Sequence, residues 1–331
     1  MSSESYEIPV IRSTYLKEFI TLFTKAGLNP DNLIFNNGLP LDLMQSDGDF
    51  VPNLSLNRLI NAAADELGVE KTLDILFTHF KTLAVPHVLH QFEAYSTIGE
   101  ALQHAKAIFS LDSPGSSVLA KSINGQFWLC RSNYQQPEKS ITWHEPFFIS
   151  YVIALIQHLT HSDWLPTQVK LQVTDDSIVN QIVGASCQLY IGHEDTEILL
   201  PQHILDKKIE IPPNTLGSQQ PHVEWYTSFS DSVFELLEQY SREQNLSVQE
   251  AADILGYSQR TLQRKLQAEN LSFGKIKDSV MYTNACRLMG KGHSLTYIST
   301  QLGYQNVSHF SRSFKRISGT TPKEYLKALR E

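Results

Sequence analysis

Apolar residues recur at helical spacing through most of the chain and change to alternation only in its middle third. Helices are predicted over 14–27 (TYLKEFITLFTKAG) and 54–68 (LSLNRLINAAADELG), each closed by a glycine, and over 70–83 and 96–111. The most apolar stretch, Phe147 to Leu159, is 13 residues long. That is too short to cross a bilayer and reads as part of a buried helix near 145–160. SSVLAKSI (116–123) and QFWLCRS (126–132) flank Asn124-Gly125, a hairpin signal, and further short strands are predicted over 169–173, 187–191 and 197–200. Helices, a hairpin, a helix and more strands make an α+β domain. The segment 211–224 (IPPNTLGSQQPHVE) holds three prolines and little periodicity, so it is the expected linker.

Beyond residue 228 the helical spacing returns, and one pattern is written twice. SVQEAADILGYSQRTLQRKL starts at Ser247 and SLTYISTQLGYQNVSHFSRSFKR at Ser294. Ser247 with Glu250 forms a capping box, and Val248, Ala251, Ala252 and Leu255 make an apolar stripe. Gly256 can take the left-handed conformation that ends this helix. Ser258 caps the next one, with Leu262 and Leu266 inward and Arg260, Gln263, Arg264 and Gln267 outward. The second copy places Leu295, Ile298 and Leu302 inward, Gly303 at the turn, then Phe310 and Phe314 inward and Asn306, His309, Arg312 and Lys315 outward. These outward side chains carry donors and acceptors that match base edges in the major groove. A helix over Ser272–Lys291 is predicted between the copies, and Thr321-Pro322-Lys323-Glu324 opens a last short helix with a second capping box.

Residues 228–331 resemble the DNA-binding domain of the AraC/XylS family of bacterial regulators. The likeness is carried by GYQNVSHFSRSFKRISGTTPKEYL, with Gly303, Tyr304, Ser308, Phe310, Arg312, Phe314, Lys315, Gly319, Thr321, Pro322 and Tyr325 at signature positions. Ser299 stands where that family usually has alanine. Segments of 26–68, 97–115 and 164–173 more diffusely resemble the arabinose-binding-like domain found on some of these regulators, including those of ornithine catabolism. The resemblance implies an α+β sensor and dimerisation domain over 1–210, a linker over 211–227, and an all-α DNA-binding domain with two helix-turn-helix units over 228–331. It further implies promoter DNA, RNA polymerase, a small effector and a second copy of the chain as partners, with activation the commoner outcome.

Charge is split to match. Residues 228–331 hold 14 Lys+Arg against 10 Asp+Glu, net +4, and the remainder carries 13 against 25, net −12, within an overall −8. A basic end on an acidic body suits a DNA reader joined to a sensor. With 331 residues, 41% of them hydrophobic, the chain is long enough for two domains. MSSESYEIPV is polar, so no secretory signal is expected and the cytoplasm is the expected compartment. Cys130, Cys187 and Cys286 are widely spaced and read as reduced structural thiols.

No catalytic constellation, cofactor loop or metal-ligand spacing stands out, and no membrane partner is expected. His79, His87, His90, His158 and His161 lack the i, i+4 pair with glutamate of a metalloprotease helix. Trp128, Trp143, Trp164 and Tyr190 could line an effector pocket, but core packing is the favoured reading. Three function classes follow: an effector-gated regulator, a regulator whose body only dimerises or binds protein, and an enzyme with a DNA-binding tail. The first is favoured, and the effector's contact residues are not readable from the sequence.

Overall fold

The computed structural model describes residues 8–46, 48–115, 117–132, 143–211, 228–240 and 246–329. Residues within Pro9–Leu33 and Ser55–Glu224 form one compact unit, and residues within Ile34–Leu54 and Trp225–Glu331 the other. In chain order the first part of the molecule carries β1 (Val10–Arg12), α1 (Ser13–Lys25), α2 (Pro30–Phe35), β2 (Phe50–Pro52), α3 (Asn53–Leu67) and α4 (Val69–His79). It continues with α5 (Val85–Val88), α6 (Ile98–Gln103), α7 (Ala105–Ser110), β3 (Ser117–Ile123), β4 (Gln126–Ser132) and α8 (His144–Thr160). Next come β5 (Gln168–Lys170), α9 (Ser177–Val183), β6 (Gln188–Tyr190), β7 (Asp195–Leu200) and α10 (Gln202–Leu205). The mixed α and β composition is the one the sequence predicts.

Three of the five helices predicted before residue 211 run through as predicted, and the two departures have local causes. The helix predicted over 70–83 does not run through in one register. After α4 it widens into a π turn over Phe80–Ala84, where Val85 N–H donates to Phe80 O. Pro86 follows within α5 and has no N–H to return to the preceding turn, which favours this looser register. The widened turn seats Phe80 edge-on to Phe147 and Tyr151, with centroids 5.0 and 5.4 Å away. The helix predicted over 96–111 is broken at His104, which caps α6 and precedes α7. As expected of its composition, α8 is buried on most of its surface, from Phe148 through Leu159.

The five strands β3–β7 form one sheet in the order β3-β4-β7-β5-β6. β3 and β4 are the predicted hairpin, and Asn124 and Gly125 both take positive φ (52° and 77°), as a tight two-residue turn requires. β5 and β6 run parallel and are joined through α9, while β7 pairs antiparallel with both β4 and β5. The predicted strand 169–173 stops early because its last amides have another acceptor. Glu145, buried at the start of α8, takes Gln172 N–H at 2.9 Å, Val173 N–H at 3.1 Å and the Thr196 hydroxyl at 2.6 Å. One carboxylate thereby ties the longest helix of this unit to two strands. Next to it, burial pulls the Arg131 guanidinium down to about 10, with Glu145 opposing, and Arg131 donates to His144 O at 2.9 Å.

One face of the sheet carries Trp128, Cys130 and Leu199 with an ion-pair cluster. Lys170 lies 4.1 Å from the Trp128 ring centroid and 2.7 Å from Glu197, which also meets Lys121 at 3.3 Å. Burial works to raise the Glu197 carboxyl, but hydrogen bonds from Lys170 and Lys121 hold it below its ordinary value. The three cysteines are free thiols. Burial pushes Cys130 to about 12 and Cys187 to about 11, so neither is a thiolate at neutral pH. Trp128 and Trp143 are core, whereas Tyr190 is 41% exposed.

Residues 34–54 pack within the second unit, although the sequence boundary assigns them to the first domain. The Gln239 side-chain amide donates to Phe50 O at 2.6 Å and the Tyr240 hydroxyl to Gly38 O at 2.8 Å. Leu54 lies against Gly256, where a β-carbon would meet its methyl group at 3.3 Å. The expected linker, 211–227, lies outside the described residues apart from Ile211.

Two outcomes test these assignments. Glu145→Ala strands two backbone amides and a hydroxyl, and should cost about 3 kcal/mol in urea unfolding. Because its carboxyl is held low in the folded state, Glu197 adds stability that is complete above its unfolded pKa and fades as pH falls through the folded value. Glu197→Gln should therefore be destabilised at pH 7 and converge on the parent in acid; equal gaps at pH 7 and pH 3 would remove Glu197 from the account.

Candidate nucleic-acid interface

The second unit is built from α11 (Phe229–Glu238), α12 (Val248–Leu255), α13 (Gln259–Ala268), α14 (Phe273–Gly290), α15 (Leu295–Gln301), α16 (Val307–Ser318) and α17 (Pro322–Ala328). Every predicted start signal is in use. Ser247 and Glu250 make a complete capping box on α12, as do Thr321 and Glu324 on α17, and Ser258, Ser272 and Ser294 cap α13, α14 and α15. The backbone N–H bond from Ser247 holds the Glu250 carboxyl below its ordinary value. Gly256 ends α12 at φ 77° and Gly303 follows α15 at φ 72°. Both turns need a conformation that side chains with a β-carbon adopt at a cost.

Helices α12–α13 and α15–α16 are two helix-turn-helix units joined by α14. In the first, Ala251, Leu255, Leu262 and Leu266 are buried as predicted. In the second, Phe310 and Phe314 are fully buried against Ala285 and Met289 of α14, Ile298 of α15 and Leu302 at its C-cap. Ser299 is buried and turns its hydroxyl to Thr296 O at 2.9 Å, so serine at this position leaves the packing intact.

Several contacts outside the repeated pattern fix the orientation of each second helix. Glu269, at the end of α13, accepts the N–H groups of Phe229 and Ser230 at 2.9 Å each and so caps α11 from a distance. Burial opposes its charge, but the bonds from Ser230 and Phe229 keep its carboxyl low. Lys265 stands over the rings of Phe229 and Tyr257, with centroids 5.4 and 5.6 Å away. On the second unit, Arg316 makes a two-pronged pair with Asp278 of α14 at 2.8 and 2.7 Å. Asn284 of α14 is buried and bonds Val280 O, and the Arg287 guanidinium bonds its amide oxygen. The Glu269, Lys265–Phe229 and Arg316–Asp278 pairings were not legible in the sequence, because each spans an interval with no periodic signal.

The outward residues fall where the sequence places them. Arg260, Gln263, Arg264 and Gln267 are exposed on α13, and His309, Arg312 and Lys315 on α16. Asn306 is exposed too, but its side-chain oxygen accepts His309 N–H at 2.8 Å as the cap of α16. That oxygen is committed, and the amide NH₂ is what Asn306 can offer outward. His309 lies edge-on to Tyr304, with centroids 5.4 Å apart. The arrangement presents two polar helix faces, each with an arginine at its middle, on a shared scaffold. Among the described residues no group of His, Cys, Asp and Glu is placed to hold a metal ion, and no helix is long and apolar enough to cross a membrane.

Residues 251–328 match the helix-turn-helix domain family. The activator CfaD of Escherichia coli is 27% identical over 136 residues, covering 40% of this chain and 50% of CfaD. The transcriptional activator AggR of E. coli is 31% identical over 155 residues, 46% of this chain and 55% of AggR. Rns, a dual regulator of E. coli, is 31% identical over 99 residues, 29% of this chain and 37% of Rns. The chain thus spans about half, or less, of the curated relatives it matches. CdpR of Pseudomonas aeruginosa, a solved transcriptional regulator, aligns over 95% of this chain and 98% of its own with 16% identity and a TM-score of 0.34. This chain carries a helix-turn-helix domain, similar to those of named bacterial transcription regulators.

Proposed function

We propose that the protein is a sequence-specific, DNA-binding transcription regulator rather than an enzyme, working in the cytoplasm. The carrying observation is the pair of exposed polar helices, α13 and α16, presented by two helix-turn-helix units on one connecting helix. Each enters a major groove, and successive grooves on one face of a duplex lie about 34 Å apart. Arg264 and Arg312 read base edges; Arg260, Gln263, Gln267, Asn306 and His309 flank them, and Lys315 meets phosphate. The similarity to regulators named as activators favours activation, with RNA polymerase as the second macromolecular partner.

Residues 1–210 serve as the sensor and pairing module in this reading. A domain of net +4 makes few phosphate contacts. Pairing two chains raises the effective concentration of the second reader. A small metabolite bound by this module then shifts the pair between DNA-competent and incompetent arrangements, and DNA must change metabolite affinity by the same factor.

In the full chain, Arg264→Ala and Arg312→Ala should each weaken specific binding by about 1–3 kcal/mol and relax preference at one base pair. Lys315→Ala should weaken all sequences alike and reduce the slope of log affinity against log salt by about 1. Selected-site binding of the variants checks both. A uniform loss for Arg264→Ala across all duplexes would contradict its role at a base edge.

For the sensor, a thermal-shift screen of the full chain with amino acids, sugars and aromatic acids should find a stabilising compound. That compound should also change DNA affinity. A compound that stabilises the protein and leaves DNA affinity unchanged would argue for a body that only pairs the chains.

A further inference from the structure

The sheet of the first unit ends on an open edge. Its outer strands are β3 and β6. β3 carries Lys121 and has α6 and α7 packed against it, and both features discourage an edge from pairing. β6 is different. From Ser177 to His193 the chain holds no Asp, Glu, Lys or Arg, although residues 1–227 carry 25 acidic against 13 basic side chains. Gln188 N–H donates to Thr167 O at 2.9 Å, and Tyr190 O accepts Leu171 N–H at 2.7 Å. These two residues therefore turn their backbone groups toward β5, and by alternation Leu189 turns its N–H and C=O away from it. On that outer side the Leu189 groups meet no partner among the described residues.

The segment is also complementary to itself. Val169, the register partner of Leu189, is fully buried. Leu189 thus lies on the core-facing side of the sheet with Cys187 and Ile191, and Gln188 and Tyr190 lie on the other side. A second copy laid antiparallel, with Leu189 opposite Leu189, sets Cys187 opposite Ile191 and Gln188 opposite Tyr190. Two bonds between the Leu189 backbones, and one from each Ile191 N–H to the facing Cys187 O, then close the edge. Within one chain the Tyr190 hydroxyl donates to Gln188 Oε1 at 3.1 Å. That leaves the Gln188 amide NH₂ to donate to the facing Tyr190 hydroxyl. Leu165 and Tyr190 are 41% exposed and Ile191 52%, so the same edge offers apolar surface to cover. No like charges face each other across this junction.

We propose that β6 is the pairing edge of this protein, and that a second copy of the chain joins it antiparallel about Leu189 to make one sheet continuous through both copies. The proposal rests on the reading of residues 1–210 as the pairing module and names its surface. The match of 187–191 with itself is what selects a second copy over the strand of another protein. The junction is short, at the low end of protein interfaces, below about 1,200 Å² of total area. The pair is therefore reversible, and a duplex that engages both readers strengthens it by holding the two chains close.

The test uses the full chain in sedimentation equilibrium between about 1 and 100 µM, a range that resolves weak pairs. A monomer–dimer equilibrium is expected, with amide exchange at Leu189 and Ile191 slowing as concentration rises. Ile191→Lys alters a side chain exposed in the single chain and should raise the dissociation constant at least about ten-fold, since both copies lose a cross-strand contact. Ile191→Val keeps that contact and should stay within about three-fold. Ile191→Cys reports the register: under mild oxidation it should form a disulfide between chains with Cys187. Within one chain these positions lie roughly 13 Å apart along the strand, beyond the reach of a disulfide at about 7 Å. Adding Cys187→Ser should abolish the cross-link. A dimer that Ile191→Lys leaves intact, a missing cross-link, or one that survives Cys187→Ser would overturn the edge assignment while leaving the pairing role of the body in place. A monomer throughout the range would overturn both.

Discussion

The second compact unit depends on the packing of α14 against α11 on one side and the second helix-turn-helix pair on the other. A pair of short helices cannot bury enough apolar surface to hold its own shape, and isolated helices of this length are marginal in water. α14 supplies the missing surface on both sides. Ala285 and Met289 receive Phe310 and Phe314, while the Asn284 amide reaches Glu238 O of α11 at 3.5 Å and Lys277 donates to Leu246 O, just before α12. The apolar contacts provide most of the stability, since the Arg316–Asp278 pair is largely exposed and worth little by itself. What that pair adds is orientation: it fixes how α16 is turned about its axis, and so where Arg312 points.

Polar commitments narrow the set of free outward groups on α13 and α16 further than exposure alone suggests. The Asn306 oxygen is spent on a cap, the Lys265 stem lies over two rings, and Glu269 is engaged by the first turn of α11. Arg260, Gln263, Arg264, Gln267, His309, Arg312 and Lys315 remain as the outward set, with the Asn306 amide NH₂.

The first unit is organised around a buried carboxylate. Glu145 substitutes for the next rung of the sheet ladder by accepting the amides of Gln172 and Val173, so β5 can end without stranded backbone donors. This places α8 against β7, the strand at the middle of the sheet. The buried Cys130 and half-buried Cys187 thiols add nothing reactive, as desolvation keeps both protonated.

Local chemistry decided what could be read from sequence. Capping boxes at Ser247 and Thr321, turn glycines at 256 and 303, the Asn124-Gly125 hairpin and the inward stripes of the repeated helices act within a few residues, so their spacing is visible in the chain. The eight outward positions followed from the same stripes by exclusion. The π turn after α4 also had a local cause in Pro86, yet periodicity alone did not give its register. Tertiary structure decided the rest: that residues 34–54 pack with the second unit's helices through Gln239 and Tyr240, that Glu269 caps α11, and that Glu145 shortens β5. Each of these joins residues distant in sequence, and a contact of that kind leaves no period in either partner. It is set by which buried donor needs an acceptor once the helices and strands have packed.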